Sequence, residues 1–150
     1  MKTGYLVCDA MTQRPISVEH DVNIVDCSRI MAKNHVSTLV VQKANKLEGL
    51  LTEKDIVRKI VAEGLDPSKV LAREIMETKF PTISPEKDIY DAIKLMGEKN
   101  IRHLPVMNKK TMVGFLTGKD ILKIHPELFE VLAEKIELRE WERKAAMKEE

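Results

Sequence analysis

The chain has 150 residues, 43% of them hydrophobic and 33% charged, enough for one domain with a real core or for two small units. Lys plus Arg number 25 against 24 for Asp plus Glu, and no long block of one sign stands out, so charge gives no support to nucleic-acid or membrane binding. Cys8 and Cys27 form no CxxC pair and have no His cluster nearby, which argues against a zinc site or a disulfide framework and for a reduced, cytoplasmic setting.

At the start, "MKTGYLVCDAMTQRP" carries an apolar patch too short for a signal peptide, and no later segment approaches the roughly 20 apolar residues of a membrane span, so a soluble protein is expected. After a short strand around "PISV", Asn23 is an N-cap candidate, with Asp26 three residues on and Ile24, Cys27 and Met31 at helical spacing. The apolar runs "STLVVQ" and "LEGLL", joined by the polar turn "KANK", predict two strands. Thr52 then opens a second helix, ended by Gly64 as a C-cap. "LDPSKVLAREIM" is a connector. Past it the order recurs: Asp88 with Asp91, then Ile89, Ala92 and Met96 on a helix, then "RHLPVMN", the turn "NKKT", "MVGFL" and a helix from Thr117. Pro105 predicts that its strand lies near an edge or a bulge. From Pro126 to Glu150 the spacing is helical throughout. Leu128, Leu132 and Ile136 share one stripe, expected to pack on the chain's own repeat, while Leu138, Trp141 and Ala145 drift onto another, expected to meet a second copy or a partner.

The recurrence is a sequence repeat. "GLLTEKD" begins at Gly49 and "GFLTGKD" at Gly114, an offset of 65 (114 − 49) that also carries Met11 onto Met76, Asp26 onto Asp91 and Met31 onto Met96. Other substitutions are largely in kind, such as Val18 for Ile83, Ile30 for Leu95 and Val36 for Ile101. Two copies of about 60 residues are too few and too long for a solenoid array, and a pseudo-twofold pair is the simpler reading. The fold class expected is α/β (α+β), two β-α-β-β-α repeats plus a C-terminal helix. The divisions are 8–63 for repeat one, 64–75 for a linker, 76–125 for repeat two and 126–150 for a helical extension.

In "GLLTEKD" and "GFLTGKD", Thr as an N-cap with an acidic residue at the third helical position makes a capping box. Glu is the usual partner, and the shorter Asp55 and Asp120 are expected to reach back poorly. The glycine three residues before each Thr lets a ligand or another backbone come close. Spacing alone leaves a structural cap and a ligand site both open.

With "VSTLVV" and "IRHLPVM" upstream and the "MT..PISV" and "ME..FPTIS" stretches before those, the two halves resemble a tandem cystathionine beta-synthase (CBS) domain pair, a Bateman module, over about residues 8 to 125. The resemblance implies two repeats packed sheet to sheet about a pseudo-twofold axis, with two clefts for adenosine nucleotides or related adenosyl ligands. It implies that Thr52 with Asp55, and Thr117 with Asp120, take the ribose. Phe80, Pro81 and Ile101 would hold the base in one cleft, and Pro15, Ile16 and Val36 in the other. Arg102 and His103, where repeat one has Ser37 and Thr38, would meet phosphate, and Lys54 and Lys119 are further candidates. His20, His35 and His125 read as surface residues without ligand spacing.

There is no paired nucleophile and base at motif spacing, no GxGxxG and no Walker-type loop, so no enzyme activity is expected. The resemblance implies a stand-alone regulator. It would need no cofactor, bind AMP, ADP, ATP or S-adenosylmethionine as a regulatory ligand, form a homodimer and report to a regulated protein. The alternative is a ligand-free dimeric scaffold whose Thr-x-x-Asp motifs are helix caps only.

Overall fold

The chain divides into two units in the computed structural model, which describes residues 2–149, the side chains of Phe129, Arg139 and Glu149 excepted. One unit is Pro15–Phe80; the other joins the segment ending at Arg14 to the chain from Pro81 onward. In chain order the elements are α1 (Val7–Ala10), β1 (Ser17–Glu19), α2 (Ile24–Asn34), β2 (Thr38–Lys43), β3 (Lys46–Thr52) and α3 (Glu53–Ile56), which runs on as a π-helix over Val57–Val61. There follow α4 (Ala72–Ile75), α5 (Ile89–Lys99), β4 (His103–Asn108), β5 (Thr111–Thr117), α6 (Gly118–Ile124) and α7 (Pro126–Glu149). Among the described residues no helix is long and apolar enough to cross a membrane.

Each repeat folds for the reasons its sequence states. In α2 the Asn23 side chain accepts from the Asp26 N–H at 2.9 Å, the face of Ile24, Cys27 and Met31 is buried, and His35 ends the helix in the left-handed region at φ 53°. Its counterpart α5 starts at Asp88, buries Ile89, Ala92, Ile93 and Met96, and ends at Asn100 with φ 54°. Asp88 also accepts from the Thr3 N–H and hydroxyl, both at 2.9 Å, which ties the N-terminal segment to the second repeat. Burial alone would raise the Asp88 pKa, but the hydrogen bonds from Tyr90, Thr3 and Gly4 outweigh it and hold the carboxyl below its ordinary value. The two short helices α1 and α4 are themselves counterparts. Asp9 and Glu74 accept from the amides of Leu6 and Leu71 at 2.9 and 2.6 Å, so the repeat begins upstream of Met11, before its first legible pair.

The sheets differ for one chemical reason. In the Pro15–Phe80 unit β1 pairs parallel with β2 and β2 antiparallel with β3. The Val40 N–H donates to the Ile16 carbonyl at 3.1 Å. Pro105 occupies the matching position and has no N–H, so in the second unit β4 pairs with β5 while the β1 counterpart shrinks to a single bridge, Ile83 to Val106. The bulge expected near Pro105 falls between Val106 and Met107. A bulge at the same place, between Val41 and Gln42, interrupts the first repeat, so proline is not its cause.

The first half of α7 closes the core of the second unit. Leu128, Leu132 and Ile136 are buried beside Ile89, Ile93 and Met96. Helix α7 crosses α5 at Gly97, where a Cβ would stand 2.9 Å from Cβ of Lys135. Beyond it Leu138 and Trp141 are 62% and 72% exposed, so core packing does not account for them. Leu132→Ala should cost about 2–5 kcal/mol in urea unfolding; a loss under about 0.5 kcal/mol, as at an exposed site, would mean that α7 does not seal this core.

Candidate functional site

The site begins where β3 turns into α3 and β5 into α6. Pairing sets Thr38 opposite Thr52 and His103 opposite Thr117. The Glu53 and Gly118 amides donate to the carbonyls of Ser37 and Arg102 at 3.0 and 2.9 Å. Positions 37 and 38, and 102 and 103, therefore flank the Thr-x-x-Asp turn of their own unit.

Both turns close as reciprocal caps. The Thr52 N–H and hydroxyl donate to Asp55 Oδ2 at 2.9 and 3.0 Å, and the Asp55 N–H donates to Thr52 Oγ1 at 3.2 Å. In the second repeat the same bonds from Thr117 and Asp120 measure 2.9, 3.1 and 3.3 Å. The expectation that Asp reaches back poorly is thus wrong. The Thr hydroxyl donates to the same oxygen as the Thr amide and draws the short carboxylate under the cap.

The glycines serve a backbone neighbour. A Cβ on Gly49 would stand 2.6 Å from Met76 Sδ and 2.8 Å from the Glu77 carbonyl oxygen. One on Gly114 would stand 2.9 Å from Met11 Cγ and 3.1 Å from the Thr12 carbonyl oxygen. Leu50 and Glu77 exchange backbone hydrogen bonds at 2.9 and 2.8 Å, as do Thr12 and Phe115 at 2.8 and 2.9 Å. The close approach lays residue 77 or 12 beside the carboxylate of its unit.

There the repeats part. Asp55 is 6% exposed, and its Oδ1 lies 3.1 Å from Lys59 Nζ. Lys59 also donates to the Ile75 carbonyl at 2.8 Å and to Glu77 Oε1 at 3.0 Å. Burial lowers the Lys59 pKa, but the hydrogen bonds and charges of Glu77 and Asp55 outweigh it, leaving the ammonium above its ordinary value. Asp120 is half-buried, and its Oδ1 meets the Thr12 hydroxyl at 3.4 Å. At the same offset of 65, Lys59 becomes Ile124 (124 − 59) and Glu77 becomes Thr12 (77 − 12). Neither Lys59 nor Glu77 carries a motif, and only this double departure from substitution in kind marks them in the sequence.

The remaining expected residues fall on both units. Pro15, Ile16, Val36 and Phe80 belong to the unit of Asp55, and Pro81 and Ile101 to that of Asp120. Ile16 and Val36 pack half-buried on the core of their unit, and Ile101 on that of the other. Arg102, Lys54 and Lys119 are exposed, while the His103 ring stacks on Phe115 with centroids 5.9 Å apart. His35 is exposed, but His20 and His125 are half-buried, against the surface reading. The His125 ring stands edge-on to Tyr5 at 5.8 Å, which explains its partial burial. Cys27 is buried, and desolvation with the nearby Asp26 charge pushes its thiol up to about 11, so it packs as a neutral apolar group.

Against known families, the CBS domain profile matches residues 7–62 and 72–127, one match per repeat. The chain belongs to the CBS domain family. An uncharacterised protein of Methanopyrus kandleri is 34% identical over 101 residues, 67% of this chain and 52% of its own length. The chain thus spans about half the length of that relative. A hexameric CBS-CP12 protein from bloom-forming cyanobacteria has a TM-score of 0.71 at 28% identity, covering 83% of this chain and 73% of its own. Hypoxic response protein 1 of Mycobacterium tuberculosis, solved with two coordinated zinc ions, has a TM-score of 0.70 at 26% identity over 80% of this chain and 98% of its own. Among the described residues of this chain, no group of three or more His, Cys, Asp or Glu could hold a metal ion. Tandem CBS repeats are generally regulatory modules, and this chain has two of them.

The ion triad of repeat one gives a pH signature. Because the Lys59 pKa is raised on folding, its contribution to stability is complete below the ordinary lysine value of 10.5 and is lost as pH rises through the folded value. Lys59→Met should cost about 1–3 kcal/mol near neutrality, the penalty for a buried acceptor left unmatched. The gap between parent and variant in urea unfolding should narrow above that pKa. A gap that stays constant with pH would mean that the ammonium is not what Asp55 relies on.

Proposed function

We propose that this CBS pair is a non-catalytic regulatory module that binds an adenosine nucleotide or related adenosyl ligand, as a sensor of energy or metabolite state. The observation that carries the reading is the Thr-Asp pair, kept in both repeats at a strand-to-helix turn. The Asp120 carboxylate there turns Oδ1 toward a neutral hydroxyl 3.4 Å away. Oδ1 so placed can accept from a ribose diol once the Thr12 hydroxyl turns away, while the Thr117 hydroxyl stays in the cap. Arg102 and His103, beside Thr117 and Asp120, supply cationic and polar donors for phosphate, with Ser37, Thr38, Lys54 and Lys119 as lesser candidates. Pro15, Ile16, Val36, Phe80, Pro81 and Ile101 offer the apolar surface that a purine needs. The ligand classes are AMP, ADP, ATP and S-adenosylmethionine.

A second reading has an observation of its own. Both caps are complete with internal partners alone, as a ligand-free scaffold would require. Self-association belongs to either reading: the cyanobacterial CBS-CP12 relative is described as hexameric, and the exposed Leu138 and Trp141 of α7 give this chain apolar surface for a homodimer.

Thermal unfolding with adenosine, AMP, ADP, ATP and S-adenosylmethionine separates the readings, since a ligand at about a hundred times its dissociation constant adds about 2.7 kcal/mol. A shift with at least one is expected; none with any of them leaves the scaffold. Arg102→Ala should weaken AMP or ATP binding about tenfold or more, as loss of a charged hydrogen bond does, and scarcely change adenosine. Equal losses for adenosine and AMP would mean that Arg102 shapes the site without reading phosphate.

A further inference from the structure

We propose that Lys59 closes the carboxylate of repeat one, so that Asp120 is the working ribose carboxylate and each chain takes one adenosyl ligand. The assignment of the ligand rests on the function proposed above; the closure rests on geometry alone.

In both repeats Oδ2 of the carboxylate already accepts from the Thr amide and hydroxyl, so a diol needs Oδ1. At Asp55 that oxygen is ion-paired with Lys59 at 3.1 Å on a side chain 8% exposed. The ammonium has three hydrogens, and Asp55 Oδ1, the Ile75 carbonyl and Glu77 Oε1 give each an acceptor within 3.1 Å. No donor is left over to meet a ligand phosphate in exchange. Glu77 owes its position to the backbone pairing permitted at Gly49, and Lys59 sits in the π-helical stretch Val57–Val61, whereas the matching turn of repeat two stays α-helical to Ile124. A ligand at Asp55 must break an ion pair held from three sides. At Asp120, among the described residues, it displaces only the Thr12 hydroxyl, whose contact is long at 3.4 Å, and Ile124 brings no charge.

The expectation is read by calorimetry on the full chain with adenosine and AMP. The parent should bind one ligand per chain, and Asp120→Ala should abolish that binding. Exchanging the repeat-one pair for its repeat-two counterparts, Lys59→Ile with Glu77→Thr, should add a second site, and Asp55→Ala in that background should remove it again. Two equivalent sites in the parent, or binding that survives Asp120→Ala, overturns the proposal. Carbodiimide labelling with glycinamide, read by peptide mass spectrometry, tests the closure without any ligand. Asp120 should label several-fold faster than Asp55, and Lys59→Ile with Glu77→Thr should bring the two rates together; equal rates in the folded parent overturn the closure. If neither parent nor double variant binds an adenosyl ligand, the functional reading and the role of Asp120 both fall, and the labelling alone decides whether Lys59 shields Asp55.

Discussion

The backbone approach permitted by Gly49 and Gly114 is the contact on which both candidate sites depend. A side chain at either position would meet a methionine and a carbonyl oxygen of the paired segment at or inside 3.1 Å. Without the glycine, Leu50 could not exchange hydrogen bonds with Glu77, nor Phe115 with Thr12. Those exchanges do more than extend a sheet. They deliver residue 77 or 12 to the flank of a capped carboxylate, and that residue together with the one at 59 or 124 sets the electrostatics of the turn.

From this common frame two repeats with the same cap acquire different chemistry. In repeat one a carboxylate, an ammonium and a second carboxylate satisfy one another around a buried Asp55. A buried charge of that kind is tolerable only because it is paired and hydrogen-bonded. In repeat two the same positions carry Thr12 and Ile124, and Asp120 keeps a weakly held oxygen. Two substitutions on one scaffold separate a carboxylate held in an ion pair at Oδ1 from one that meets a neutral hydroxyl there at 3.4 Å. The two readings of the Thr-x-x-Asp motif are compatible, since the cap takes Oδ2 of each carboxylate and leaves Oδ1 outside it.

Much of this was legible in the sequence, and the misses have physical causes. The helix starts at Asn23 and Asp88, the strand pairs and the buried half of α7 follow from capping and periodicity, which are local. The family was legible because the motif occurs twice in register. The short reach assigned to Asp55 and Asp120 was wrong because a hydroxyl hydrogen bond, invisible in spacing, draws the carboxylate in. The edge and bulge expected at Pro105 are both present, but the proline accounts only for the missing donor to the neighbouring strand, since the bulge beside it belongs to both repeats. Lys59 and Glu77 escaped notice because their meaning lies 18 residues apart and arises only from the pairing at Gly49.

The central claim is that Asp120, in repeat two, is the carboxylate open to an adenosyl ligand. Titrating the isotopically labelled full chain with adenosine and following backbone amide resonances by NMR addresses it directly, because each Thr-x-x-Asp turn reports separately. The account predicts saturable shifts at Thr117, Gly118 and Asp120, with Thr52 and Asp55 nearly still. Saturable shifts centred on Thr52 and Asp55, or none at either turn, would contradict it.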